Sequence, residues 1–189
     1  MVKEQKKQVS GFGYWVNFVW EILKIIFISL AIIVPIRYFL IQPFFVQGAS
    51  MEPNFFDGDY LIVDEISYRF EEPQRGDVVI FKYPLDPSQF FIKRIIGLPG
   101  ETVRIEEGRV FIFGGQTKEK IILNESDYLK ESYTAGNFEV ALKDGEYFVL
   151  GDNRGASSDS RKWGPLPRKF IIGKAWIRAW PFPRFKVLN

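Results

Sequence analysis

Ser50 and Lys93 stand out because the 189-residue sequence contains no histidine and no cysteine. Histidine-based triads, thiolate nucleophiles and the usual zinc sites are therefore excluded, and a hydrolase built from this chain needs a hydroxyl nucleophile with a different base. Ser50 lies in Gly48-Ala49-Ser50-Met51-Glu52-Pro53, between a glycine and a proline whose backbone constraints can aim a nucleophile. A lone loop serine more often caps a turn, so its partner decides the matter. Lys93 is set in the apolar run Phe91-Ile92-Lys93-Arg94-Ile95-Ile96, where strand alternation puts it on the face of Phe91 and Ile95. Desolvation there disfavours the ammonium form, which is what a lysine general base requires near neutral pH. Alternation equally pairs Arg94 with Ile92 and Ile96, and it leaves open a Lys93 on a solvated face. Chemistry alone selects the lysine, because a guanidinium does not deprotonate in this range. A third block, Gly151 to Arg161, holds Asp152, Arg154, Ser157, Asp159 and Arg161, a density of hydroxyl and paired charged groups that suits a hydrogen-bonded loop orienting the base. On its own it also reads as a solvated turn or a calcium-type loop, against which Arg154 and Arg161 and the missing downstream acid argue.

These residues need a scaffold, and beyond Pro43 the chain offers short β-branched and aromatic runs separated by Gly, Pro and Asp. Strands are expected at 44–47, 60–66, 77–82, 90–97, 102–106, 109–113, 147–150 and 171–180, with a hairpin turn at Glu107-Gly108. The stretch 114–145 is more polar and weakly periodic. It reads as an insertion on the domain, with 124–129 as a turn or short helix.

Ahead of the strands, residues 12–40 are mostly apolar and aromatic, with charges only at Glu21, Lys24 and Arg37 and none from Ile25 to Ile36. Trp15 and Trp20 extend that run to the roughly 20 residues a bilayer core requires. Glu21 and Lys24, three apart, can pair on one helical face. A spanning helix is expected in preference to an amphipathic surface helix or a cleaved leader, since no small-x-small site follows the run. Lys3, Lys6 and Lys7 precede the segment and no basic residue lies between Arg37 and Arg69, so residues 1–11 form a cytoplasmic tail, and 41–189 an extracytoplasmic domain. The balance of 25 basic and 23 acidic residues gives no electrostatic reason to expect nucleic acid.

Taken together, the blocks resemble those of type I signal peptidases. Ser50-Met51-Glu52-Pro53 is similar to that family's serine box, Gly76-Asp77-Val78-Val79 to its next box, Lys93 to Gly100 to its lysine box and Gly151 to Arg161 to its Gly-Asp-Asn-Arg box. The resemblance covers most of the chain from about Phe44, in order, behind an anchor in the expected place. It implies a mostly β fold of coiled, barrel-like antiparallel sheets after one transmembrane helix. Ser50 is then the nucleophile, Lys93 the base, and Ser157 a hydroxyl that hydrogen-bonds the lysine. Asp159 and Arg161 form a structural ion pair, with Asp152 and Arg154 also structural. Shallow pockets correspond to Val46, Phe55, Phe91 and Ile92, with Phe44 further off. Asn54 replaces the threonine often found after the proline. Gly48 stands where some members carry a serine hydroxyl, which leaves backbone donors at Gly48 and Ser50, chiefly the latter, for the oxyanion.

The implied activity is removal of signal peptides from secreted preproteins after a small-x-small motif at the plasma membrane, without metal or organic cofactor. The lipid bilayer and the secretion translocon are the other implied partners. Two rival readings are a serine–lysine autoprotease like the SOS repressors, disfavoured by the hydrophobic N-terminal segment, and a non-catalytic anchored β module binding through Trp163, Trp176 and Trp180.

Overall fold

The structure, a computed structural model, describes residues 11–39, 41–114, 120–129 and 133–188. The lysines used to read orientation, Lys3, Lys6 and Lys7, lie outside them. The chain divides into two units, residues 1–40 and 41–189.

In the first unit, α1 (Gly11–Phe39) is a single helix. Its stretch Gly13–Val34, 22 residues, is long and apolar enough to cross a bilayer. Its large side chains are exposed all along, Trp15, Trp20, Phe27 and Ile33 among them. A helix apolar on every side is stable in hydrocarbon and not in water. Glu21 and Lys24 pair at 3.2 Å.

Among the described residues, the second unit contains twelve strands in two antiparallel sheets. In chain order these are β1 (Ile41–Phe45), β2 (Tyr60–Asp64), β3 (Val78–Tyr83), β4 (Asp86–Gly97), β5 (Glu101–Glu106) and β6 (Arg109–Gly114). They continue with β7 (Lys120–Ile122), β8 (Phe138–Ala141), β9 (Glu146–Leu150), β10 (Leu166–Pro167), β11 (Ile171–Trp180) and β12 (Lys186–Val187). The larger sheet runs β1-β2-β11-β3-β4-β9-β10, with β12 also on β11, and the smaller runs β7-β6-β5-β8. Long β4 and β11 carry register shifts, at Ile95/Gly97 on one and at Ala175/Ile177 and Arg178/Trp180 on the other. Such irregularities increase twist and let a large sheet coil.

Three apolar clusters fill the unit. One joins Val46, Met51 and Phe55 to Leu61, Val63, Val78, Ile80 and Ala175. A second joins Val79, Phe81 and Ile95 to Tyr147, Val149, Leu166 and Ile171. The third joins Ile96, Phe148 and Leu150 of the larger sheet to Val103, Ile105, Val110 and Ile112 of the smaller. Both faces of β4 are thus covered, which is why its sequence reads as a continuous apolar run in which alternation loses its meaning.

The polar stretch expected as an insertion at 114–145 is only the second half of a unit. The smaller sheet begins at Glu101, and β7 and β8 pair onto β6 and β5 from within the stretch. Residues 126–128 form a turn. Trp163, expected among exposed aromatics, instead packs on Phe81 at 5.8 Å between ring centres, whereas Trp176 and Trp180 are exposed.

Candidate active site

Two loops and one strand build the site. The serine loop leaves after β1 and returns at β2, closed at its neck by Val46 N–H to Asp59 O and Gly58 N–H to Val46 O, each 2.9 Å. Gly48 enters the loop at φ +80°, a left-handed backbone that side chains strongly disfavour. Met51, fully buried, plugs the loop into the core, so Ser50 is held from beneath.

Lys93 rises from β4 beside it. Its Nζ lies 2.9 Å from Ser50 Oγ and donates to the Ile92 carbonyl at 2.7 Å. The residue is only 4% exposed, and the Phe91 ring centre lies 5.4 Å from Nζ. Burial drives its pKa down from the ordinary 10.5 to about 8, against the opposing pull of the Asp159 and Asp152 carboxylates. Arg94, which alternation could not separate from Lys93, turns to the other side of β4 and grips Asp152 through two nitrogens at 2.8 and 2.7 Å.

The loop that follows β9 supplies the third wall. Asn153 N–H donates to the Ser50 carbonyl at 3.0 Å, tying this loop directly to the serine's backbone. Asp159, fully buried, accepts the Gly151 N–H and pairs with Arg161 at 2.8 Å. Burial pushes its carboxyl up, but the Arg161 guanidinium and the hydrogen bonds that the carboxyl accepts, the Gly151 N–H among them, together hold it below the ordinary carboxylate value. Arg161 also donates to the Arg154 carbonyl at 2.7 Å.

Ser50 and Lys93 open onto a cleft of about 690 Å³. Val46, Leu61 and Ile80, all nearly or fully buried, line it together with Phe44, Phe90, Phe91 and Ile92. Phe44 of β1 meets Phe90 of β4 at 5.5 Å between ring centres, and Phe91 stacks on Tyr83 at 4.5 Å. β1 ends the larger sheet, and β4 pairs with β9 only from Arg94 onward. Two strand edges that bear on the cleft are therefore unpaired among the described residues.

Three sequence expectations change at this resolution of detail. Phe55 does not line the cleft: the turn that bonds its N–H to Met51 O sends the ring into the core, 2% exposed, against the Arg178 guanidinium. Gly48 is not a free oxyanion donor, because its N–H is committed to Asp57 Oδ1 at 2.7 Å. No acceptor takes the Ser50 N–H among the described residues. Ser157 does not hydrogen-bond Lys93. Its buried Oγ packs on Gly151 and makes no well-aligned bond, lending only weak support to Asp159. Several residues that the sequence left unassigned join the site's support. Asn54 donates to Asp152 at 2.9 Å and to the Tyr128 carbonyl at 2.7 Å, and Arg178 holds the Asn54 carbonyl at 2.6 Å. Only the block positions of Asn54 and Arg94 hinted at such roles.

A serine hydroxyl against a buried, easily deprotonated amine, in an apolar cleft between strand edges, is the arrangement of a serine hydrolase. Comparison with known proteins gives the family. The model of the signal peptidase family, peptidase S26, matches residues 19–180. Signal peptidase I of Leptolyngbya laminosa is 41% identical over 179 residues, covering 89% of this chain and 83% of that protein. "Probable signal peptidase I-2" of Synechocystis sp. is 38% identical over 191 residues, 98% of this chain and 82% of that one. Signal peptidase I V of Bacillus subtilis is 37% identical over 163 residues, 82% of this chain and 94% of that one. The chain belongs to the type I signal peptidases of this family, serine peptidases.

Proposed function

We propose that this membrane-anchored peptidase cuts secreted preproteins with Ser50 as nucleophile and Lys93 as general base. The observation that carries the reading is the 2.9 Å approach of Lys93 Nζ to Ser50 Oγ, with burial bringing the amine to about 8. At neutral pH about one lysine in ten is then uncharged and able to take a proton. Neutral Lys93 accepts the Ser50 hydroxyl proton as Oγ adds to the scissile carbonyl, and the Ser50 N–H receives the developing oxyanion. The ammonium returns the proton to the leaving amine as the C–N bond breaks, leaving an ester on Ser50. Lys93 next takes a proton from water as its oxygen adds to the ester carbonyl, and the ammonium gives that proton to Ser50 Oγ as the C–O bond breaks, which frees the signal peptide's new C-terminal carboxyl group and restores the serine hydroxyl. The Ile92 carbonyl keeps the amine directed at Oγ throughout.

An extended substrate would add to the free edges of β1 and β4 by backbone hydrogen bonding. Alternate residues of such a strand share a face, so the residues one and three places before the cut both meet the enzyme. Val46, Phe91 and Ile92, with Leu61 and Ile80 beneath, leave room there for small side chains. The N-terminus faces the cytoplasm and the β unit the outside of the plasma membrane, with bilayer and translocon as neighbours. The positive-inside distribution of Lys3, Lys6 and Lys7 supports this orientation.

The test is incubation of the detergent-solubilised full chain with a labelled preprotein and mapping of the cut bond. Ser50→Ala, Lys93→Ala and Lys93→Arg should each abolish cleavage, and leucine at either of the two specificity places should do so in the substrate. Near-normal turnover by Lys93→Ala overturns the dyad, and indifference to leucine overturns the pocket assignment.

A further inference from the structure

Arg154 belongs to the loop that walls the site, yet its side chain points away from the dyad. Its Nε donates back to the Gly151 carbonyl at 3.0 Å, which holds the loop's own turn. Its two terminal nitrogens reach residues brought in by the smaller sheet. Nη2 donates to Glu125 Oε1 at 2.6 Å, and Nη1 donates to Glu125 Oε2 at 3.2 Å and to Thr134 Oγ1. Glu125, Thr134 and Arg154 are 2%, 0% and 8% exposed. Glu125 accepts a further bond from the Tyr128 hydroxyl at 2.8 Å.

The segment that carries these residues is itself fastened to the smaller sheet. Leu123 N–H bonds Val110 O, Thr134 N–H bonds Gly108 O, and Leu123 and Tyr128 pack on that sheet's cluster. On its other side the segment touches the serine loop, since Tyr128 offers its carbonyl to Asn54 and its ring lies under the Arg94 guanidinium at 4.2 Å. The smaller sheet is thus linked to both halves of the site, to Ser50 through Asn54, and to the Gly151 turn through Arg154.

We propose that Glu125 is a positioning residue for the reaction: its buried carboxylate, with Thr134, fixes Arg154 and through it the turn whose Asn153 N–H holds the Ser50 carbonyl. The inference rests on the dyad reading above. It assigns the smaller sheet a task at the site, namely setting the aim of the nucleophile, while the cleft walls on β1 and β4 are left to bind substrate. A misplacement of a nucleophile by about 1 Å can cost on the order of 100-fold in rate. Loss of a positioning residue that touches no substrate should appear in kcat and leave KM alone.

The experiment measures kcat and KM of the full chain in detergent for Glu125→Gln, Arg154→Met, their double variant and Thr134→Val. Glu125→Gln leaves Arg154 charged and unpaired in a buried place, and Arg154→Met does the same to Glu125. Each should lower kcat about 10- to 100-fold with KM within about twofold. The double variant should recover part of that loss, because no orphaned charge remains. Thr134→Val, which keeps the ion pair, should lower kcat severalfold in the same sense and serves as the deciding variant should Glu125→Gln not fold. Unchanged kcat in folded Glu125→Gln, or in Thr134→Val where Glu125→Gln does not fold, overturns the proposal, as does a loss carried by KM. Activity in Ser50→Ala would instead strike the dyad itself, so the two failures are told apart.

Discussion

Lys93 carries two opposite consequences of the same burial. Burial disfavours the ammonium, which makes the amine available as the proposed base, and the fold bears the cost of that ammonium at neutral pH. The folded value of about 8 lies below the ordinary 10.5, so between those limits the unfolded chain holds the proton more tightly than the folded one. Stability therefore rises as pH climbs from 8 to 10.5, and below 8 the full penalty applies, on the order of 3 kcal/mol at roughly 1.4 kcal/mol per pKa unit. Lys93→Met should accordingly be inactive yet more stable than the parent by ~1–3 kcal/mol at pH 7, with the difference vanishing above about pH 10.5 in denaturation measured across pH. In the parent, kcat/KM should fall about tenfold per pH unit below a midpoint near 8. A flat profile between pH 5 and 8 would remove Lys93 as the base, since no histidine is present to supply that limb. At this scale the pairing of Ser50 with Lys93 at 2.9 Å was readable because missing residue types leave so few alternatives. The commitments of backbone donors were not: nothing in the order of residues announces that Asp57 occupies the Gly48 N–H, or that the Phe55 ring turns inward.

Among the elements, the serine loop and the loop after β9 carry most of the site with β4, and the two loops meet at Gly151. A Cβ built there would collide with the Ser50 carbonyl oxygen and with Ser157 Oγ and Cβ. The first of these is backbone in a loop plugged by buried Met51, so neither side can give way cheaply. Gly151→Ala should therefore lower kcat by about 100-fold or more and cost about 1–3 kcal/mol of stability. A folded variant with parental kcat would show that the two loops are not in fixed register. Most long strands were legible from β-branched and aromatic runs between turn residues. Short β7 and β8 were not, since pairing onto β6 and β5 stabilises them more than their own composition does. The same override hid the true start of the smaller sheet, because β5 and β6 look like any other strands of the domain. It also hid Glu125, an ordinary acid in a polar stretch until Arg154 is seen to reach it.

For the molecule as a whole, the division at residues 40 and 41 separates a helix whose residues 14–34 are exposed from a β unit containing the three apolar clusters described. Every hydrogen bond and ion pair described at the site joins residues of the β unit, from Val46 to Arg178. The helix supplies none of these contacts, so on the anchored reading proposed above its part is in encounter with the substrate. A preprotein held in a bilayer and an enzyme held in the same bilayer meet on a surface, which raises effective concentration without adding a contact. Removal of residues 1–40 should leave a folded enzyme that cleaves a short soluble peptide with kcat/KM within a few-fold of the full chain in detergent. Against a preprotein embedded in vesicles, the same truncated enzyme should lose about 100-fold or more in rate relative to the full chain reconstituted beside it. The two substrates separate the explanations: loss on both would mean that the β unit depends on the helix for its fold, whereas undiminished processing of the embedded preprotein would mean that anchoring contributes nothing to encounter.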